Sequence, residues 1–219
     1  MIAMDDAYYD KLRERMVKSQ LLSRDIRDPA VLEALRTVPR HLFVDADYCQ
    51  SAYSDGPLPI GEGQTISQPY IVALMTQLLE LTGNETVLEV GTGSGYQAAV
   101  LAHIAREVHS IERHPLLARR AEEIFKELGL INIHVHIADG TLGLPEFAPY
   151  EAIIVTAAAP NVPKALLDQL ANHGRLVIPV GGRWGQYLER WRRDGDDLFS
   201  ESITPVAFVP LVGKEGWKD

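Results

Sequence analysis

The sequence predicts an α/β chain built on a doubly wound, mainly parallel sheet, with helices ahead of the sheet and an antiparallel hairpin after it. Three observations carry that prediction. Short apolar runs rich in β-branched residues alternate with stretches of helical composition in the order β-α-β-α-β-α-β. A glycine-rich turn, Gly91-Thr92-Gly93-Ser94-Gly95, joins the first of those strands to the helix that follows it. Glu89, Glu112, Asp139 and Thr156 each close a predicted strand, and an open parallel sheet gathers its ligand at the carboxyl ends of its strands.

In chain order, residues 6–22 form an amphipathic helix with Tyr8, Leu12, Met16 and Leu21 on one face. Asp28-Pro29 opens a second helix, the aspartate as N-cap and the proline in the first turn, which runs to Val38 before Pro39 stops it. Residues 55–68 hold too much glycine and proline for regular structure, and a connection this long is usually functional. Its apolar Leu58, Ile60 and Ile66 argue for an ordered loop, and Ser67 stands where it can cap the apolar helix running through Leu79. The core strands are Thr86–Val90, Val108–Ile111, Ile133–Ala138, Ala152–Thr156 and Arg175–Val180. Between them lie helices from Tyr96 to Ile104, from Pro115 to Leu128 with Gly129 behind it, and from Lys164 to His173 with Gly174 as its cap. After Gln186 an alternating run, a turn at Asp194-Gly195-Asp196-Asp197 and a second run predict an edge hairpin, with Trp184 and Trp191 over it. Val206–Leu211 reads as a last buried strand. One domain over 1–219 is expected: a helical appendage (1–54), a functional loop (55–68), a ligand-binding core (69–185) and C-terminal strands (186–219).

Composition narrows the partners. A net charge of −9 in 219 residues argues against a nucleic-acid partner, which calls for a basic footprint. The single cysteine, Cys49, fits a reducing cytoplasm and reads as a small apolar residue. No run reaches the roughly 18–20 apolar residues of a membrane span, and the first residues lack the pattern of a signal peptide. Histidines and cysteine do not cluster at metal spacing, so no metal site is expected. A cytoplasmic monomer without membrane contact is expected.

The glycine spacing selects the ligand. A dinucleotide fingerprint, G-x-G-x-x-G, needs its third glycine where this chain has Tyr96. Here the glycine comes one residue early, at Gly95, and an acid, Glu89, precedes the turn. A carboxylate there repels a pyrophosphate and suits a ligand carrying an ammonium or sulfonium centre. Acid-x-Gly-x-Gly-x-Gly with a second acid, Glu112, closing the next strand fits S-adenosylmethionine better than NAD. Glu112, with Arg113 beside it, is placed to accept hydrogen bonds from ribose hydroxyls. Gly91, Thr92, Gly93 and Gly95 form the turn, Thr156 closes the fourth strand, and Asp139-Gly140 is placed for the adenine amino group.

The chain resembles the protein-L-isoaspartate (D-aspartate) O-methyltransferases along nearly its whole length. The resemblance rests on Leu58-Pro59-Ile60-Gly61, on Gly63-Gln64-Thr65-Ile66-Ser67-Gln68-Pro69, on Val87–Tyr96, on Asp139-Gly140, on Ala152–Val155 with Ala159-Pro160, and on Phe208-Val209-Pro210-Leu211. It implies a Rossmann-like methyltransferase domain and a repair enzyme that methylates the free α-carboxylate of L-isoaspartyl residues, and less efficiently the side chain of D-aspartyl ones, with S-adenosylmethionine as donor. Ser67 would be the active-site hydroxyl. Gln64, Thr65, Ile66 and Ser67 would join Gly91, Glu112, Asp139 and Gly140 around the donor. Pro59, Ile60, Ile66 and Ser67 on one side, and Val206, Phe208 and Val209 on the other, would hold the substrate peptide. A sensor that binds the donor without catalysis, or a methyltransferase of small carboxylic acids, shares the fold. Against a sensor stands the Gln64–Ser67 segment with its hydroxyl.

Overall fold

The computed structural model describes residues 6–182 and 185–218; Trp184, expected over the C-terminal hairpin, lies outside the described residues. Helix α1 (Asp6–Met16) continues into one π-helical turn, Val17–Leu21. Helix α2 (Pro29–Thr37) starts as its sequence predicts: Asp28 accepts hydrogen bonds from the amides of Ala30 at 2.8 Å and Val31 at 3.3 Å. Two 3-10 turns, Arg40–Phe43 and Ala46–Ser51, lead to a small hairpin, β1 (Leu58–Gly61) and β2 (Gln64–Ile66). The remaining elements are α3 (Pro69–Leu78), β3 (Thr86–Val90), α4 (Tyr96–Ala102), β4 (Glu107–Glu112), α5 (Pro115–Glu127), β5 (Ile133–Ile137), β6 (Tyr150–Val155), α6 (Lys164–Asp168), β7 (Leu170–Gly182), β8 (Gly185–Asp194) and β9 (Asp197–Val206).

The main sheet has the order β5-β4-β3-β6-β7-β8-β9. Its first five strands are parallel, and β8 and β9 return antiparallel as a meander on β7. All five residues of β3 are buried, as befits a central parallel strand covered on both faces. Alternate residues of β6 enter opposite cores: Ala152 and Ile154 pack in one, Ile153 and Val155 in the other. The N-terminal helices belong to the first of these, where Met16, Leu21, Leu32 and Leu35 pack in the same cluster as Val87 and Ala152. No helix among the described residues is long and apolar enough to cross a membrane.

Three segments depart from the sequence expectation. Residues 55–68 are not wholly irregular, because Glu62 and Gly63 take φ of 50° and 67°, the left-handed pair that closes a two-residue hairpin. The helix expected from Lys164 to His173 stops at Asp168, and Leu170 already pairs with Tyr150 in the sheet. Gln169 fixes that break: its carbonyl accepts the Tyr150 amide at 2.9 Å, and its side chain bonds Leu144 N and Leu142 O at 2.8 Å each. Of the predicted buried strand Val206–Leu211, Val206 ends β9 and residues 207–211 form an extended segment off the sheet, with Ala207 and Pro210 exposed. There Gln186 bonds the Phe208 backbone with its side chain at 2.7 and 3.1 Å, and Ala158 exchanges bonds with Val209 and Leu211 at 2.8 Å each. Pro210 has no N–H with which to continue a ladder.

Candidate active site

The site lies at the carboxyl ends of β3, β4 and β6, and the glycine turn is its floor. Gly91 follows β3 at φ 100°, and a Cβ there would stand 2.4 Å from Thr156 Oγ1. Thr156, at the end of β6, donates its hydroxyl to Gly91 O at 2.7 Å. Gly95 ends the turn at φ 89°, where a Cβ would lie 2.7 Å from the Phe125 ring of α5. The close helix packing that a dinucleotide site obtains from a third glycine is thus reached here one residue earlier. Glu112, at the end of β4, grips the turn: one carboxylate oxygen accepts the Gly93 amide at 2.8 Å and the other accepts the His114 amide at 2.9 Å. Each oxygen keeps a lone pair for a further donor.

Above this floor opens a cleft. Its walls include Gln64, Thr65, Ile66 and Ser67 from the hairpin side, Gly91–Ser94 below, Glu112, Arg113 and His114 after β4, Gly140 after β5, Thr156 and Ala157 after β6, and Val209–Val212 from the C-terminal segment. The fold therefore gathers Gln64–Ser67, Gly91, Thr92, Gly93, Glu112, Arg113, Gly140, Thr156 and Val209 from the expected site residues. Pro59, Ile60, Glu89, Gly95, Asp139, Val206 and Phe208 are not on its wall. Ile60 is buried against the outer side of the turn, where a Cβ on Gly93 would meet its Cδ1 at 3.5 Å.

Two acids sit differently from the expectation. Glu89 is wholly buried beneath the turn and bonds Ser110 Oγ, which also meets Thr92 Oγ1 at 2.6 Å. Burial pushes its carboxyl up to about 8, with the Glu112 charge adding to the rise and the Ser110 bond opposing it. A group so placed is neutral at pH 7 and does not face a cationic ligand. Asp139 borders an adjoining hollow shared with Arg113 and Val212. Its carboxylate accepts Thr141 N at 3.0 Å, Thr141 Oγ1 at 2.7 Å and Lys214 N at 2.8 Å. Burial would raise its pKa, but these bonds, with Arg113 nearby, hold it below the usual carboxylate range.

Ser67 is not the N-cap of α3. Pro69 occupies the first helical position and pushes Gln68 into an extended conformation, φ −51° and ψ 138°, so that Gln68 takes the cap position without a side-chain bond. The half-buried Ser67 hydroxyl is left on the cleft wall. Sequence reasoning missed Ser94, Gln97, His114 and Val212, which also line the cleft. Ser94 was legible within the glycine motif; His114 carries no local signal and reaches the cleft because β4 ends beside it.

Fold and cleft together define a class: an α/β protein with a glycine turn after the first core strand and an acid after the second, the S-adenosylmethionine-dependent methyltransferase type. The glycine backbone open to close approach and the spare acceptor capacity of Glu112 fit a nucleoside ligand. The family model of protein-L-isoaspartate(D-aspartate) O-methyltransferases matches residues 11–216. A protein-L-isoaspartate O-methyltransferase 1 of Syntrophobacter fumaroxidans is 58% identical over 96% of this chain and 98% of its own length. The protein-L-isoaspartate O-methyltransferase of Geobacter metallireducens is 55% identical over 95% of this chain and 97% of its own. A solved protein-L-isoaspartate O-methyltransferase superposes with a TM-score of 0.83 at 27% identity, covering 95% of this chain and 67% of that one. The chain belongs to the protein-L-isoaspartate (D-aspartate) O-methyltransferase family. A Plasmodium falciparum structure, described as a putative member in complex with S-adenosyl-L-homocysteine, shares the fold with a TM-score of 0.79 at 24% identity, covering 93% of this chain and 98% of that one.

Proposed function

We infer that this protein is a repair methyltransferase that transfers a methyl group from S-adenosylmethionine to the free α-carboxylate of L-isoaspartyl residues in damaged proteins and peptides. The observation that carries this reading is the meeting of Gln64–Ser67 with the glycine turn and Glu112 around one cleft. Family membership supplies the substrate class. Side-chain carboxylates of D-aspartyl residues are poorer substrates of the same site. The methyl ester then closes to a succinimide as the following backbone nitrogen attacks the ester carbonyl and methanol leaves; hydrolysis returns part of the material as normal aspartate. The protein works as a cytoplasmic monomer on polypeptides rather than nucleic acid, in keeping with its charge of −9.

Bound S-adenosylmethionine supplies an electrophilic methyl group on a sulfonium centre and leaves as a neutral thioether. This chain has correspondingly little acid–base chemistry to perform. The accepting α-carboxylate has a pKa near about 3.5 and is ionised at neutral pH, so no general base is needed. Glu112 and the backbone of the glycine turn hold the donor, with Gly140 and Thr156 at the neighbouring strand ends. Ser67, with no capping bond to make, is free to donate its hydroxyl to one carboxylate oxygen and turn the other toward the methyl group. Val209 and the residues after it line the same cleft as Ser67 and would help to exclude water from the substrate. Orientation and desolvation of this kind are worth up to about 7–11 kcal/mol when the reacting atoms are aligned.

The test uses the purified protein, methyl-labelled S-adenosylmethionine and two peptides that differ only in an L-isoaspartyl or a normal aspartyl linkage. Base-labile label on the isoaspartyl peptide alone is expected. Label on neither peptide, or equally on both, would overturn the reading.

A further inference from the structure

Arg40 has no solvent exposure at all. Pro39 ends the run that follows α2, and the 3-10 turn from Arg40 to Phe43 directs the arginine inward. Its Nε donates to Ala52 O at 2.7 Å, while Nη1 and Nη2 have no hydrogen-bond partner among the described residues. What the guanidinium does meet is an aromatic face: its Cζ lies 4.8 Å from the centroid of the Tyr96 ring. Phe43 touches the same ring edge-on, with centroids 5.5 Å apart. Burial lowers the arginine's pKa to about 10, which leaves it charged at neutral pH. A buried cation without a carboxylate is a poor device for stability, and an apolar residue of similar volume usually serves as well or better.

The ring it covers belongs to the site. Tyr96 follows Gly95 directly, begins α4, is 1% exposed and lines the cleft. The turn has no slack on its other side, where Gly95 is packed against Phe125 and Ala121. The seat of the Tyr96 ring between Arg40 and Phe43 therefore sets where the glycine turn enters α4. We propose that Arg40 is a positioning residue for donor binding, its guanidinium clamping the Tyr96 ring and thereby the end of the glycine turn. This rests on the reading of the cleft as the S-adenosylmethionine site.

The experiment is calorimetric titration of S-adenosylmethionine into the full chain as wild type, Arg40→Met, Arg40→Lys, Tyr96→Leu and the Arg40→Met/Tyr96→Leu double variant, with thermal melting and steady-state kinetics on each. Arg40→Met is expected to melt no lower than wild type yet bind the donor about tenfold more weakly, the scale of a desolvated cation–π contact. The KM for donor should rise while the KM for isoaspartyl peptide stays level. Arg40→Lys, which keeps a cation, should recover part of the affinity, and the double variant should bind no worse than Tyr96→Leu alone. Wild-type affinity in Arg40→Met, equal affinities in the Lys and Met variants, or additive losses in the double variant would each overturn the proposal. Should Arg40→Met fail to fold, the comparison of Arg40→Lys with wild type decides it, and unchanged affinity there combined with a lowered melting temperature marks a purely structural role and overturns it. A wild type that does not bind S-adenosylmethionine would overturn the functional reading and this proposal together.

Discussion

The two sides of the cleft are built by different means. On the donor side, the glycine turn, Glu112 and Thr156 stand at the ends of β3, β4 and β6, strands that are buried almost throughout. Each member is tied to the next by backbone or hydroxyl bonds of 2.7–2.8 Å. On the acceptor side, Gln64–Ile66 belongs to a hairpin over residues 58–66 that forms a two-stranded sheet of its own, with Ser67 directly after it, and Val209–Val212 comes from an extended segment that leaves the sheet after Val206. The donor side stands on central strands of the main sheet, whereas the acceptor side comes from segments outside it that anchor in the cores through Ile60, Ile66 and Leu211. A change on the first should disturb binding of the donor; removal of the Ser67 hydroxyl on the second should disturb turnover far more than donor binding.

Gly91→Ala tests the rigid side hardest. It forces a left-handed φ of 100° on a residue with a Cβ and drives that atom to 2.4 Å from Thr156 Oγ1. Strain of roughly 1–3 kcal/mol and overpacking of a similar size should together weaken donor binding by about two orders of magnitude or more. Equilibrium titration reads this directly, and near-normal affinity would show that the floor of the cleft yields. Glu112→Ala removes the acceptor for the Gly93 and His114 amides as well as the one offered to the ligand. The loss of charge-assisted bonds worth about 1.5–3 kcal/mol predicts a Kd weakened by about 10–100-fold. Wild-type affinity would refute the assignment of Glu112 to the ribose hydroxyls.

Ser67→Ala probes the other side. Since Ser67 caps nothing, its removal should leave the melting temperature and the donor Kd unchanged and lower kcat about tenfold, the size of one orienting hydrogen bond. Equal losses of kcat and donor affinity would mean that the two sides are not separable. A separate effect, on stability rather than on binding or turnover, is expected at Glu89. Its folded pKa of about 8 exceeds the unfolded 4.5, so the folded state holds the proton more tightly. Stability should then be fully present below pH 4.5 as far as this group is concerned, decline as pH rises, and level off above 8. Glu89→Gln, neutral at every pH, should remove that slope and raise the melting temperature at pH 9. A slope unchanged by the substitution would show that Glu89 is ionised inside the fold.

The local part of this architecture was legible in the residues alone. Asp28-Pro29 starts a helix because an aspartate side chain can reach the next free amides and a proline lacks one. The predicted strands Thr86–Val90 and Ala152–Thr156 fall on β3 and β6, whose faces are both covered, and the turn after β3 needs glycine at Gly91 and Gly95, with φ of 100° and 89°. The glycine spacing and the acid closing β4 pointed to a methyl donor, while the part given to Gln64–Ser67 rested on the family resemblance.

What lay beyond the sequence depended on contacts between residues far apart in the chain. Lys164–His173 has helical composition throughout, yet Gln169 breaks it because Tyr150, Leu142 and Leu144 claim its polar groups. Val206–Leu211 alternates like a strand, but Gln186 and Ala158 draw its backbone off the sheet. Glu89 pairs with Ser110 and Glu112 stands two residues beyond Ser110, so both acids point to one face of the sheet; Glu89 lies a step deeper and bonds Ser110, whereas Glu112 at the strand end reaches the cleft. The sequence by itself determined the class of chemistry, since motif spacing and residue type follow from local backbone geometry. Only the tertiary structure decided which of the marked side chains face the ligand, because a side chain's direction is settled by the strand, helix or turn packed against it.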